Sequence, residues 1–277
     1  GKKVYNPVLA NNLTIDRKVK SIKGRNKIES NVEIQKIIEC YLKQTWSPDA
    51  IAGYLKNNIP ENSVSHESIY LYIYKHRREW IKYLSRAHRR RRKRTGKNKN
   101  RAKSLIPLRT FIDERPKYVE QRNISGHFEV DCMVTKKSKE AILVMLERKT
   151  RYIKLEKLSK KTASSVKYSL IKVLKNYSRM LKRITYDNGT ENALHDLVNA
   201  TLNCKSYFCN PYHSWEKGSV ENVIGLVRRF IPKKTDLSEI SNKELKKIER
   251  LINNRPRKLL GYKTPKELFR QEWCTYY

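Results

Sequence analysis

Between residues 86 and 103 the chain carries eleven Lys or Arg and no acid, with Arg89, Arg90, Arg91, Arg92, Lys93 and Arg94 consecutive. A block of one sign cannot be buried, because no carboxylate is at hand to repay the desolvation of so many cations. It therefore forbids one continuous core and divides the chain into a module before it and a module after it. The block lies in a basic linker over residues 85–123, and Arg89, Arg90, Arg91, Arg92 and Arg94 are expected to track phosphates. Both sides share the excess. Residues 1–122 hold 30 basic and 11 acidic side chains, and residues 123–277 hold 32 and 16, for a net charge of +35. Folding does not need such a charge, and it points to a polyanionic partner, most simply nucleic acid. A packaging protein would account for the charge alone.

The first module reads as helical. Residues 1–30 are basic and weakly periodic and form an arm. Over residues 31–43, Ile34, Ile37, Ile38, Tyr41 and Leu42 fall at helical spacing. Ser47-Pro48 is an N-cap followed by Pro at the first helical position, opening a helix through Leu55. Asn57 to Ser63 is a turn-rich break, after which Ser65 caps a third helix with Ile69, Tyr72 and Ile73 inward. Three short helices over residues 31–84 predict a helix-turn-helix domain whose last helix enters a major groove. Its outward face offers Glu67, Tyr70, Tyr74 and Arg78, and Ser65, His66, Glu67, Tyr70 and Arg78 are the candidate DNA contacts. The competing reading is a small helical bundle without groove contact.

From residue 124 the periodicity changes. Strands are expected at 127–134, 141–148, 151–158, 183–187 and 206–210. Helices are expected at 162–178, near 191–200, from Ser219 and from Asn242. Three sequential strands followed by alternating helices and strands predict an α/β sheet covered on both faces, in the order of a ribonuclease-H-like fold over residues 124–277. No apolar run approaches a membrane span, and no signal peptide is evident. Cysteines at 40, 132, 204, 209 and 274 lack zinc-site spacing and read as buried reduced thiols.

Three carboxylates stand in suggestive contexts: Asp131 in a strand, Asp187 at a strand end before Asn188-Gly189, and Glu221 at a helix start. Hard oxygen donors placed this way can hold two divalent cations, which activate an attacking oxygen and stabilise a leaving one on a phosphodiester. Two of them alone have an ordinary explanation: Asp187 as a turn residue and Glu221 as a helix-dipole partner. Glu129 shares a strand face with Asp131 and either supports the site or pairs with a Lys or Arg. Arg228, two helical turns after Glu221, is a candidate DNA contact or a plain surface Arg. His213 is a further candidate DNA contact.

The surrounding motifs run Gly126-His-Phe-Glu-Val-Asp131, Leu146-Glu-Arg-Lys-Thr-Arg-Tyr152, Thr185-Tyr-Asp-Asn-Gly-Thr-Glu191, Pro211 to Asn222 and on to Asp236, then Arg255-Pro-Arg-Lys-x-Leu-Gly-Tyr262 with Thr264-Pro-x-Glu267. In this order they resemble the DDE transposases of bacterial insertion sequences, in the group named after insertion sequence thirty. The match runs from about Trp46 to Glu267. Phe128 and Ile224 depart from the usual Trp and Asn. The resemblance implies that Asp131, Asp187 and Glu221 are catalytic and bind two Mg2+ or Mn2+ ions. It implies that the protein holds terminal inverted repeats of double-stranded DNA, cuts at element ends and joins the 3′ hydroxyl to target DNA. It further implies a homo-oligomer on DNA in the bacterial cytoplasm, associated with the nucleoid, and no membrane partner. Relatives in the group often begin with another small helix-turn-helix, and the present chain begins at Gly1. Two rival functions are a non-catalytic DNA-binding regulator derived from a transposase and a ribonuclease-H-like nuclease without strand transfer.

Overall fold

In a computed structural model, residues 6–23, 27–85, 106–211 and 213–276 are described. The chain divides into two compact units, Gly1–Arg92 and Lys93–Tyr277.

The first unit is helical: α1 (Pro7–Lys23), α2 (Val32–Lys43), α3 (Pro48–Asn58) and α4 (His66–His76). Side-chain caps start each of the last three. Asn31 accepts from Glu33 N and Ile34 N, Ser47 from Ala50 N, and Ser65 from Ser68 N. Their apolar faces meet in a core of Ile34, Ile38, Leu42, Ile51, Leu55, Ile69 and Ile73, closed by Trp46 and Trp80. The residues expected to form an arm include α1, a helix of 17 residues. Asn6 caps it, accepting from Val8 N and Leu9 N, and Pro7 holds the first helical position. Val8, Leu9, Leu13 and Ile15 are exposed on it, so no buried stripe betrays the helix in the sequence.

The second unit is built on a five-stranded mixed sheet. In chain order come β1 (His127–Val134), β2 (Ala141–Glu147), β3 (Ile153–Leu158), α5 (Ala163–Leu174), β4 (Arg183–Tyr186), α6 (His195–Leu202), β5 (Lys205–Phe208), α7 (Gly218–Phe230), α8 (Asn242–Asn253) and α9 (Pro265–Cys274). Strand order is β3-β2-β1-β4-β5. The β1–β2 and β2–β3 pairs are antiparallel, and β1–β4 and β4–β5 are parallel. Every residue of β2 is buried, as a strand covered on both faces must be. Leu143 and Met145 face one core with Val166, Leu170 and Leu174 of α5, Val198 of α6 and Phe269 of α9. Ile142, Val144 and Leu146 face the other with Val220, Val223 and Val227 of α7 and Leu245, Ile248 and Ile252 of α8.

Gly126 starts β1 with φ +94°, and a Cβ built there would lie 1.9 Å from the Met180 carbonyl oxygen. Its own carbonyl accepts from Lys182 N at 2.8 Å and Arg183 N at 3.2 Å, tying the start of β1 to the start of β4. The expected linker is revised at its far end. Residues 106–123 pack on this unit: Ile106 and Val119 are buried, Phe111 bridges to Phe208, and Phe208 N donates to Thr110 O at 2.9 Å. Arg89, Arg90, Arg91, Arg92 and Arg94 lie outside the described residues.

Candidate active site

The parallel register sets the site. His127 pairs with Arg183 and Glu129 with Thr185, so continuing both strands brings Asp131 beside Asp187. Strand alternation turns Glu129, Asp131 and Met133 to the α7 face. Asp131 Oδ1 accepts its neighbour Cys132 N at 2.8 Å, and Asp187 Oδ1 accepts Asn192 Nδ2 at 2.9 Å. Burial pushes the Asp131 carboxyl up, and the nearby Asp187 charge adds to the rise.

Lys217, just before α7, is the residue that sequence reasoning missed. It is 6% exposed. Its Nζ donates to Val130 O at 2.7 Å and stands 3.6 Å from Asp131 Oδ2 and 3.8 Å from Asp187 Oδ1. An ammonium therefore sits between the two carboxylates and offsets their repulsion. Two lysines in a chain with 62 basic residues carry no distinguishing signal, and only the fold selects Lys217 and Lys161. Lys161 also acts on both aspartates through its charge and is ion-paired to Glu191 at 2.6 Å.

Glu221 lies one turn beyond Lys217 on α7 and is exposed. The structure does not gather it with the two aspartates. Among the described residues no three His, Cys, Asp or Glu side chains form a metal cluster. Of the three expected carboxylates, Asp131 lies on β1, Asp187 directly after the neighbouring β4, and Glu221 on α7.

Glu129 pairs with a base. It is 1% exposed, 3.0 Å from Arg148 Nε, and it accepts Val220 N at 3.0 Å. That second bond satisfies one of the open amides in the first turn of α7 and sets a negative charge at its positive end. Glu129 therefore fixes the helix that carries Lys217 and Glu221. Arg228, at the far end of α7, donates to the Val134 carbonyl and so holds the end of β1. His213 Nδ1 lies 3.0 Å from Glu216 Oε1. His127 is 2% exposed with neither ring nitrogen bonded, and burial together with Arg183 and Lys182 pulls it down to about 4.

In the first unit the candidates cluster on α4. Ser65 is used as its cap. His66 and Glu67 are exposed and 3.1 Å apart. Tyr70 is half-buried against the helical core and stacks on Tyr74, and Arg78 Nε donates to Tyr74 O at 3.2 Å. All five cysteines are free thiols. Cys209 is buried, but Cys40 and Cys274 are exposed, contrary to expectation, because each falls on the outer face of its helix. Among the described residues no helix is long and apolar enough to cross a membrane.

No protein-family model matches the chain. The transposase for insertion sequence element IS4351 of Bacteroides fragilis is 42% identical over 256 residues, which is 91% of this chain and 77% of that protein. The transposase InsI for insertion sequence element IS30A of Escherichia coli is 34% identical over 279 residues, 97% of this chain and 72% of that one. The transposase for insertion sequence element IS1086 of Cupriavidus metallidurans is 35% identical over 244 residues, 85% and 71%. A chain of the simian T-cell lymphotropic virus intasome in complex with PP2A regulatory subunit B56 gamma gives a TM-score of 0.45 at 18% identity over 52% of this chain and 54% of that one, a likeness too remote to carry weight. With three relatives this similar over most of their length, the chain belongs to the insertion-sequence transposases of the IS30 family and its relatives.

Proposed function

We propose that Asp131, Asp187 and Glu221 form the catalytic centre of a ribonuclease-H-like domain, residues 124–277, that cuts DNA at element ends and joins the 3′ hydroxyl to target DNA. The observation that carries this reading is the pair Asp131–Asp187, side by side on parallel strands with a buried ammonium between them. The donor set fits Mg2+ or Mn2+: carboxylate oxygens are hard ligands, and the pair already draws a cation. When bound, two such ions lower the barrier to attack on a phosphodiester by polarising the reacting oxygens. The chain's own groups supply the rest. Asn192 orients Asp187, Glu129 fixes α7, and Lys217 holds the aspartates together until it yields its place. Arg228 lies two turns along α7 from Glu221, where a cation meets a DNA phosphate.

Residues 31–84 are the end-binding helix-turn-helix domain in this proposal, with His66, Glu67, Tyr70 and Arg78 toward the groove and Ser65 ordering the helix start. The basic arm and the arginines 89–92 and 94 bind the backbone, and the protein works as an oligomer on DNA in the bacterial cytoplasm. One observation favours a second reading, DNA binding without cutting: Glu221 stands apart from the aspartates.

Labelled element ends with Mg2+ decide between them. Joined products support transposition, cleavage alone a nuclease, and retention of uncut ends a regulator. Asp131→Asn, Asp187→Asn and Glu221→Gln should each reduce cleavage and joining by at least a hundredfold while ends are still bound. Robust joining by any one of them removes that residue from the centre.

A further inference from the structure

Beside α7 the second unit has an open cavity of about 850 Å3. Neither Asp131, Asp187, Lys217 nor Glu221 lines it. It is lined by Leu146 of β2, the segment 112–122, the β2–β3 turn, the first turns of α7, and Arg257 and Leu259. The resembled family's C-terminal motif, which the catalytic reading leaves idle, thus contributes to the lining.

The cavity is over-supplied with cations. Arg115 and Arg148 are internally paired, both with Glu120, and Arg148 also with Glu129. Three more arginines, Arg122, Arg151 and Arg257, have no carboxylate partner among the described residues, and Arg122 reaches only the Ser219 hydroxyl at 3.1 Å. The lining acids are occupied elsewhere: Glu216 by Asn210 and His213, Asp113 by Asn210. Arg148 is 1% exposed and keeps a buried Nη1 without a partner, as Arg257 and Arg122 each keep a buried Nε. Gly218 and Ser219, the first residues of the 13-residue α7, add the positive end of a helix. Half-buried guanidiniums without a carboxylate partner, three in one lining, call for a multivalent anion, and their planar donors match phosphate. Apolar side chains share the lining: Leu146, Val223, Leu226 and Leu259. Guanidiniums for an anion beside apolar side chains for a flat body are the groups that would recognise a nucleotide.

We propose that this cavity is a second phosphate-binding site, sized for one nucleotide whose phosphate meets Arg122, Arg151 and Arg257 and whose base lies on the apolar side chains. In this chain the natural source is an unpaired nucleotide of a DNA strand. The site is separate from the cleavage chemistry and stands whether or not the aspartates cut. Burial with the neighbouring Arg122 draws the Arg151 guanidinium down, and burial with Arg151 draws Arg257 down to about 10, as expected of cations awaiting a counter-charge.

The test uses the full chain, without divalent metal, and three probes: thymidine monophosphate, a blunt duplex, and the same duplex with one unpaired terminal thymidine. Wild type should bind the monophosphate and prefer the overhang to the blunt end by at least fivefold, a ratio that cancels non-specific attraction. Arg151→Gln and Arg257→Gln should each weaken monophosphate binding at least tenfold and abolish the preference, while melting no lower than wild type, because a half-buried charge without a carboxylate partner is removed. Leu259→Glu, at an exposed rim position, leaves the core untouched and should do the same by repelling phosphate. Arg151→Lys should retain part of the affinity. Monophosphate binding without an overhang preference supports the phosphate site and overturns the DNA strand as its source. Monophosphate binding equal in wild type and all variants overturns the site itself.

Discussion

Lys217 is a cation that the protein carries in its proposed cleavage centre. Where the two carboxylates approach each other it offsets their repulsion, and a metal ion must compete with it for the same oxygens. Lys217→Met should therefore lower the melting temperature in chelator, by the equivalent of about 1–2 kcal/mol for a partly exposed pair losing its counter-charge. It should also enlarge the rise produced by Mg2+ and lower the Mg2+ concentration needed for half of that rise. Melting curves with chelator and through a Mg2+ titration at fixed ionic strength check both. An unchanged titration midpoint would show that ammonium and metal do not share the oxygens. His127 gives a separate, pH-dependent signature. Its ring is buried neutral with a folded pKa of about 4 against an ordinary 6.5. Its contribution to stability is complete above pH 6.5, is lost as the pH falls toward 4, and changes no further below that, because only the unfolded chain takes up the proton in that window. The loss is on the order of 3 kcal/mol. His127→Phe should flatten the acid limb between pH 6.5 and 4, as read by urea unfolding at several pH values. Persistence of the full slope in the variant would assign it to other groups.

At the scale of elements, the sheet with its flanking helices was readable because period-two and period-3.6 patterns are strong where both faces are buried. β1 begins and ends where alternation in His127 to Val134 places it, and β2 is the one continuous apolar run. Asp131 and Asp187 could be singled out because their motifs are distinctive, and the pairing of their strands shows only in the fold. Three features escaped. α9 opens on a capping box between Thr264 and Glu267 with Pro265 at its first position, a local helix signal that lies inside the C-terminal motif. The large apolar side chains described on α1 are exposed, so burial leaves no periodicity to mark it there. The placement of residues 106–123 depends on single contacts such as Phe111 to Phe208, which no local pattern encodes. Glu129 links element to site: it bonds the α7 amide at Val220 and neutralises Arg148. Glu129→Ala should cost about 3 kcal/mol, since a buried guanidinium loses a partner and a helix end loses its acceptor. Glu129→Gln, which keeps an acceptor for Val220 N, should cost less. Chemical denaturation of both variants measures the order, and equal losses would mean that the charge alone matters.

For the whole molecule, each of the two units has its own core, and the charge of +35 is spread over the entire chain. Affinity for DNA should accordingly be steeply salt-dependent, with each phosphate contact contributing about 0.9 to the slope of log K against log salt. Replacing Arg89, Arg90, Arg91, Arg92 and Arg94 with Gln should weaken binding to all sequences alike and flatten that slope, whereas removing residues 1–84 should erase preference for element ends. Filter binding from 50 to about 200 mM salt separates the effects, and a slope unmoved by the five replacements would count against the phosphate track. Gly126 has a longer reach than its size suggests. Because its carbonyl joins the start of β1 to the start of β4 and its α-carbon has no room for a substituent, the separation of the two aspartates is measured out in main chain from that point. Descendants of this gene could rewrite most of the intervening side chains and keep the distance, but one extra carbon at residue 126 would silence the lineage.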